Sequence, residues 1–120
     1  FRTPALRLAE AAPDRPTHMY LFSWESPILD GKLKSCHALE LPFVWDAIDK
    51  PGLSMLTGDS PDRQGIADAM HAAWIAFART GDPGWTTYDT GDRWTQNFDT
   101  EPELVSDPMR EQRILWSEIS

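Results

Sequence analysis

Residues 35–45 read SCHALELPFVW and place a single histidine, His37, immediately before an apolar run. Residues 19–24, MYLFSW, are rich in aromatic and long apolar side chains and lie between Pro16 and Pro27. This composition predicts a short buried strand. Turn-forming and charged residues fill positions 25–35, which indicates an exposed loop that holds His37 near the end of that strand.

The chain on either side of this segment carries helix signals. Thr3 as an N-cap and Pro4 at the first helical position predict a helix over residues 4–11. The longest predicted helix begins at residue 61 or 62, with Asp59 or Ser60 as its cap, and ends at Gly81. An apolar stripe along it predicts packing against the core and comprises Ile66, Ala69, Met70, Ala73, Trp74, Phe77 and Ala78.

Further strands follow this helix. Alternating apolar and polar residues predict two short antiparallel strands at 93–98 and 103–106, and a last helix over residues 107–119. Between the predicted strand and the longest helix, residues 38–45 fit either a helical turn or extended chain, and residues 46–62 are turn-rich. Trp85 and Tyr88 lie in a turn-rich segment and are expected to pin it to the surface.

Composition narrows the classes of function. The 120 residues suffice for one domain with a modest core. With 11 basic and 19 acidic side chains the formal charge is -8, which disfavours nucleic acid as a partner. The sequence has no apolar run long enough for a membrane helix, and no signal segment opens it. These residues do not show whether the parent protein is secreted, and the location stays unknown, with the cytoplasm expected over secretion. Cys36 is the only cysteine and cannot form an internal disulfide.

Several segments together resemble one enzyme family. Residues 19–24 with 36–44, then WIAFARTGDP at 74–83, and then 93–116 with NFD at 97–99 and RILW at 113–116 occur in order along nearly the whole chain. They resemble the C-terminal portion of the type B carboxylesterases, the group that includes bacterial para-nitrobenzyl esterases and cholinesterases. The resemblance implies an α/β class, namely the C-terminal part of an α/β-hydrolase fold with mixed sheet strands and packing helices.

The resemblance also implies what this sequence lacks. Members of that family carry a serine nucleophile in Gly-x-Ser-x-Gly, an acidic partner and a glycine-rich oxyanion loop, all upstream of the histidine. Ser54 lacks the second glycine of that motif and Ser60 is followed by proline. We therefore expect residues 1–120 to be the C-terminal segment of a carboxylesterase domain, inactive alone. The expected partners are the missing N-terminal portion or further copies of the chain, and a small-molecule ester in the complete enzyme.

The resemblance assigns the site residues. His37 is the expected catalytic base, Glu40 a supporting residue for the pocket wall, and Cys36 and Leu39 residues of the substrate pocket. Alternatives remain open for each. A lone histidine at a strand end is more often structural, Glu40 could be a solvated surface residue and Leu39 a core contact. A nucleophilic role for Cys36 is disfavoured because adjacent side chains in extended chain point apart.

The sequence indicates no metal and no cofactor. No two of His18, His37 and His71 stand at the helical spacing of a zinc-binding pair. An alternative function is a non-catalytic, cholinesterase-like binding or adhesion module, which the retained His37 disfavours. A separate α+β interaction domain with only accidental resemblance is disfavoured by the ordered series of matches.

Overall fold

The computed structural model describes residues 1–119. The chain forms five helices and three short strands within these residues. In chain order they are α1 (Arg2–Glu10), β1 (Tyr20–Phe22), α2 (Leu41–Val44), α3 (Ser54–Thr57), α4 (Arg63–Thr80), β2 (Trp94–Phe98), β3 (Glu103–Ser106) and α5 (Arg110–Glu118).

The three strands form one mixed sheet in the order β1-β2-β3. Strand β1 runs parallel to β2, with Tyr20 opposite Gln96 and Phe22 opposite Phe98. Strands β2 and β3 are antiparallel, as predicted. A parallel pair needs a long crossover connection, and residues 23–93, with α2, α3 and α4, supply it. The predicted α/β class with a mixed sheet and packing helices is confirmed. On its other side β1 has no strand partner within residues 1–119.

The main core lies where the sheet, α2 and α4 meet. It is built of side chains that are at least nine-tenths buried, and its largest members are Trp24, Leu39, Phe43, Ile48, Ile66, Met70 and Phe98. The region that the sequence left open, residues 38–45, is a turn followed by the short helix α2, with Pro42 in its first turn. This placement suits proline because the first helical amides need no partner within the helix.

Only the first half of the apolar stripe on α4 packs as predicted. Ile66, Met70 and Ala73 are buried, whereas Trp74 and Phe77 are each 46% exposed. The ring of Trp74 meets Tyr20 edge to face at 6.2 Å and that of Phe77 meets His18 at 6.1 Å, so residues 1–119 cover the C-terminal half of the stripe only in part. Full packing of the stripe was therefore a wrong prediction for this half.

The predicted helix ends are partly right. Gly81 ends α4 in the left-handed conformation at φ +78°, and its amide donates to the carbonyl of Phe77 at 2.8 Å. The predicted caps are wrong. Helix α1 begins at Arg2, so Thr3 lies inside its first turn, and α4 has Asp62 at its N-cap position without a capping side-chain bond. The carboxylate of Asp62 instead accepts bonds from outside the helix.

A second, smaller core attaches α1 to the sheet. It comprises Leu6, Ala9 and Tyr88, with Met19 packed against them. Tyr88 is 8% exposed, which confirms that it pins its segment to the body of the protein. The last helix, α5, has no buried residue within its described range and is three residues shorter at its start than predicted. Its first turn is held by Arg113, which donates to Asp107 at 2.6 and 2.9 Å.

Candidate functional site

His37 lies on a turn close to the carboxyl end of β1. The amide of Leu39 donates to the carbonyl of Cys36 at 3.2 Å and closes the turn around the histidine. Ala38, inside the turn, has φ +66°, in the left-handed region that L residues seldom adopt. This sharp turn points neighbouring side chains in different directions. His37 is exposed, while Leu39, two residues on, is completely buried.

The loop before the turn is closed at its base. Ser26 and Lys34 form an isolated antiparallel bridge, and the amide of Ser26 donates to the carbonyl of Lys34 at 3.3 Å. The buried hydroxyl of Ser26 donates to the carbonyl of Leu56 at 2.5 Å, and Lys34 pairs with Glu25 at 2.7 Å. The predicted loop over residues 25–35 is therefore a closed excursion that leaves and returns at the end of β1.

An open groove of about 500 Å³ runs beside the histidine. Three parts of the chain line it: the start of α1, the free edge of β1 and the histidine turn with the residue before α2. The lining residues are Phe1, Arg2 and Ala5, then residues 18–22, and then residues 35–38 with Glu40. The ring of Phe1 stacks on the imidazole of His37, with centroids 4.6 Å apart and planes 11° from parallel.

Of the four predicted site residues, Cys36, His37 and Glu40 line this groove and Leu39 does not. Leu39 lies in the main core with Phe43 and Trp24. Leu39 is therefore a core contact, which was the alternative that the sequence left open. Its side chain anchors the turn from the inside. Cys36 is a free, half-buried thiol that packs against the same core.

Glu40 is half-buried at the N-cap position of α2. Its backbone carbonyl accepts the amides of Phe43 and Val44, both at 3.0 Å. Glu40 and Tyr20 both line the groove, and burial together with the Glu40 charge raises the pKa of the Tyr20 hydroxyl. Within residues 1–119 no group donates a hydrogen bond to the Glu40 carboxylate, so its role as a hydrogen-bonding support stays a prediction.

The imidazole of His37 likewise makes no hydrogen bond to another described residue. A catalytic triad requires a nucleophile and an orienting acid within hydrogen-bond reach of the base. Ser60, which the sequence already excluded, bonds to Asp62 instead. Within residues 1–119, both ring nitrogens of His37 are therefore without a hydrogen-bond partner.

Two contacts at this site were not found from the sequence. Phe1 stacks on His37, and the hydroxyl of Ser35 lies 2.7 Å from the carbonyl oxygens of both Ser23 and Trp24. Neither contact can be predicted from a local sequence pattern, because each joins residues that are at least 11 positions apart. A polar residue at the return of a loop is the one local sign that could have drawn attention to Ser35.

Metal binding and membrane spanning find no support among the described residues. No three His, Cys, Asp or Glu side chains of residues 1–119 come together as metal ligands. None of the described helices combines the length and the apolar character needed to cross a bilayer.

Known proteins give independent information about this arrangement. No family model matches the chain. The chain is 37% identical over 101 residues to the phenmedipham hydrolase of Pseudarthrobacter oxydans, a match that covers 77% of the chain. It is 36% identical to the para-nitrobenzyl esterase of Bacillus subtilis, over 94% of the chain. A solved carboxylesterase from Geobacillus stearothermophilus superimposes with a TM-score of 0.77 at 38% identity and covers 92% of the chain.

The chain belongs to the type B carboxylesterases. Its fold is part of the α/β-hydrolase fold of those enzymes. The chain spans 20% of the length of the first relative and 24% of the second and of the solved structure. Most of what a complete carboxylesterase contains therefore has no counterpart in these 120 residues.

Proposed function

We propose that this chain is the C-terminal segment of a serine carboxylesterase and supplies its catalytic histidine, His37. The serine nucleophile, the acid and the oxyanion hole belong to an upstream portion of the same protein. The observation that carries the proposal is the exposed imidazole of His37 beside an open groove at the end of β1, in a chain whose relatives are esterases.

The chemistry uses the two ring nitrogens separately. One nitrogen accepts the proton of the serine hydroxyl as the oxygen attacks the ester carbonyl, and then returns it to the departing alcohol. The other nitrogen donates to the acid, which holds the ring in the required tautomer. A water repeats the sequence on the acyl-enzyme. Imidazole suits both directions because its ordinary pKa lies near neutral pH.

Cys36 and Glu40 have supporting places in this proposal. Both line the groove beside His37, and we assign Cys36 to the wall of the substrate pocket. Glu40 would meet its hydrogen-bond donor in the upstream portion. Leu39 supports the site from the core side. The substrate is a small-molecule ester, the class that the name of the Bacillus subtilis relative indicates for that protein.

The partner of the segment is its own upstream portion. Strand β1 has an open edge, and Trp74, Ile75 and Phe77 expose apolar surface on α4. Unpaired strand edges and contiguous apolar patches are usually covered in stable proteins. In each relative, more than three quarters of the length lies outside the matched part and could provide this cover.

The test uses the full-length protein and a para-nitrophenyl ester. His37→Gln is expected to lower kcat on the order of 10⁴-fold with little change in KM. His71 provides a matched control, since its Nδ1 lies 2.8 Å from the carbonyl of Val44, away from the groove. His71→Gln should retain activity within about threefold. Activity of His37→Gln within tenfold of the parent would show that His37 is structural.

Two further measurements complete this test. The isolated 120-residue chain should not hydrolyse the ester above the buffer rate, and a rate abolished by a serine-directed phosphonate would contradict the proposal. A full-length protein without any esterase activity, but with His37 intact, would favour the binding-module alternative.

A further inference from the structure

The hydroxyl of Ser35 connects the two ends of the loop that precedes His37. Its oxygen lies 2.7 Å from the carbonyl oxygen of Ser23 and 2.7 Å from that of Trp24. A hydroxyl carries one proton, so that proton is shared between two carbonyls at the carboxyl end of β1. Ser35 is the residue at which the chain returns to the sheet, two positions before His37.

The two accepting residues are firmly held. The amide of Ser23 donates to the carbonyl of Phe98 at 2.9 Å and continues the pairing of β1 with β2. The hydroxyl of Ser23 donates to Asp99 at 2.9 Å. Trp24 is 3% exposed, and its Nε1 donates to Asp62 at 2.9 Å. Ser35 is thus attached to a part of the sheet that is fixed on several sides.

The chain after His37 is also held. Leu39 is completely buried in the main core, and its amide bonds to the carbonyl of Cys36. His37 therefore lies midway between a polar anchor, Ser35, and an apolar anchor, Leu39. Between these anchors two backbone hydrogen bonds restrain the described chain, from the Leu39 amide to the Cys36 carbonyl at 3.2 Å and from the Leu41 amide to the Ala38 carbonyl at 3.3 Å.

We propose that Ser35 is a positioning residue for His37, an inference that rests on the proposed function. Ser35 touches neither the imidazole nor the groove's far wall, and acts through the backbone. The base of the loop remains closed without it, because Ser26 still bonds to Lys34 and to Leu56. Removing the hydroxyl therefore leaves the fold in place and frees the histidine turn. A displacement of about 1 Å at a catalytic group can lower a rate by about 100-fold.

The experiment compares three substitutions in the full-length protein with a para-nitrophenyl ester. Ser35→Ala removes the hydroxyl, and Ser35→Thr keeps it. Ser106→Ala is the matched control, since the Ser106 hydroxyl donates to the backbone carbonyl of Asp92 at the same 2.7 Å, at the opposite side of the sheet. Ser35→Ala should lower kcat about 10- to 100-fold with KM changed less than about threefold. Ser35→Thr and Ser106→Ala should stay within about threefold of the parent.

A second readout separates positioning from partial unfolding. Labelling with a serine-directed phosphonate should proceed more slowly in Ser35→Ala but still reach one label per chain. A reduced final stoichiometry, insoluble protein or a kcat equal to that of the parent would overturn the proposal, and so would a Ser35→Thr variant as slow as Ser35→Ala. If His37→Gln is itself fully active, the proposed function fails. A slow Ser35→Ala beside a fully active His37→Gln would then show that Ser35 acts on another group.

Discussion

At the residue scale, the best-connected polar group lies away from the groove and joins α1 to the sheet. Glu10 accepts hydrogen bonds from Arg93, with which it forms an ion pair, and from the Tyr88 hydroxyl at 3.0 Å. Burial alone would raise the pKa of Glu10, but the hydrogen bonds from Arg93 and Tyr88 and the Arg93 charge outweigh it, so the pKa is lowered. A lowered folded-state pKa means that ionised Glu10 stabilises the fold above its unfolded-state pKa, near 4.5.

Glu10→Gln should therefore destabilise the protein at neutral pH and matter less in acid. We expect a loss on the order of 1 kcal/mol at pH 7, kept small because the pair is partly exposed. The difference from the parent should begin to shrink as the pH falls below about 4.5, where Glu10 of the unfolded chain takes up a proton, and should be lost as the pH passes through the lowered pKa of native Glu10. Thermal unfolding at pH 7 and pH 4 measures this. Glu111→Gln, an exposed carboxylate in the first turn of α5, is the control. An equal effect at both pH values would show that charge is irrelevant.

At the scale of elements, Asp62 joins the start of α4 to the ends of β1 and β2. Its carboxylate accepts from Trp24 Nε1 at 2.9 Å, from the Thr100 hydroxyl at 2.8 Å and from the hydroxyl of Ser60. Burial would raise the pKa of Asp62, but the three side-chain bonds hold it below its usual value. Helix α4, which carries four of the ten buried residues of the main core, is thus fixed to the strand that ends before the histidine loop.

Asp62→Ala should destabilise the protein by about 2 kcal/mol, because the buried indole of Trp24 loses its acceptor. Asp59→Ala, an exposed neighbour, should change the free energy of unfolding by less than about 0.5 kcal/mol. The stability of Asp62→Ala, Trp24→Phe and the double variant forms a cycle that isolates the bond. Additive losses would mean that the indole and the carboxylate do not interact.

Local signals explain which elements the sequence predicted and which it did not. The strand at 19–24 follows from its aromatic and apolar composition, and the hairpin of β2 and β3 from alternating apolar and polar residues. The end of α4 follows from the left-handed conformation that Gly81 adopts readily. The family resemblance added His37. The role of Asp62 was missed because its partners, Trp24 and Thr100, each lie 38 positions away in sequence. The stripe on α4 indicated an apolar face that needs cover, but not that the cover within residues 1–119 would become incomplete at Trp74 and Phe77.

At the scale of the whole molecule, one uncovered surface combines a free sheet edge with exposed aromatic rings. The open edge of β1 carries the half-buried rings of Tyr20 and Phe22, and Tyr20 meets Trp74 of α4 edge to face at 6.2 Å. Phe77 continues this surface along the helix. An unpaired edge next to exposed aromatic rings promotes association with another chain.

We therefore expect the isolated 120-residue chain to be a homo-oligomer through this edge or to remain bound to its upstream portion. Light scattering of freshly purified chain, with a denaturing gel to detect a second polypeptide, measures the outcome against the 13.6 kDa monomer.

Phe77→Lys should shift the oligomer towards monomer, because a charge on the contact surface must be desolvated for the copies to associate. Met55→Lys, on a side chain of α3 that is 74% exposed and does not line the groove beside β1, should leave the mass unchanged. A stable monomer of the parent chain without a bound partner would refute the expectation, and an oligomer insensitive to Phe77→Lys would place the contact elsewhere.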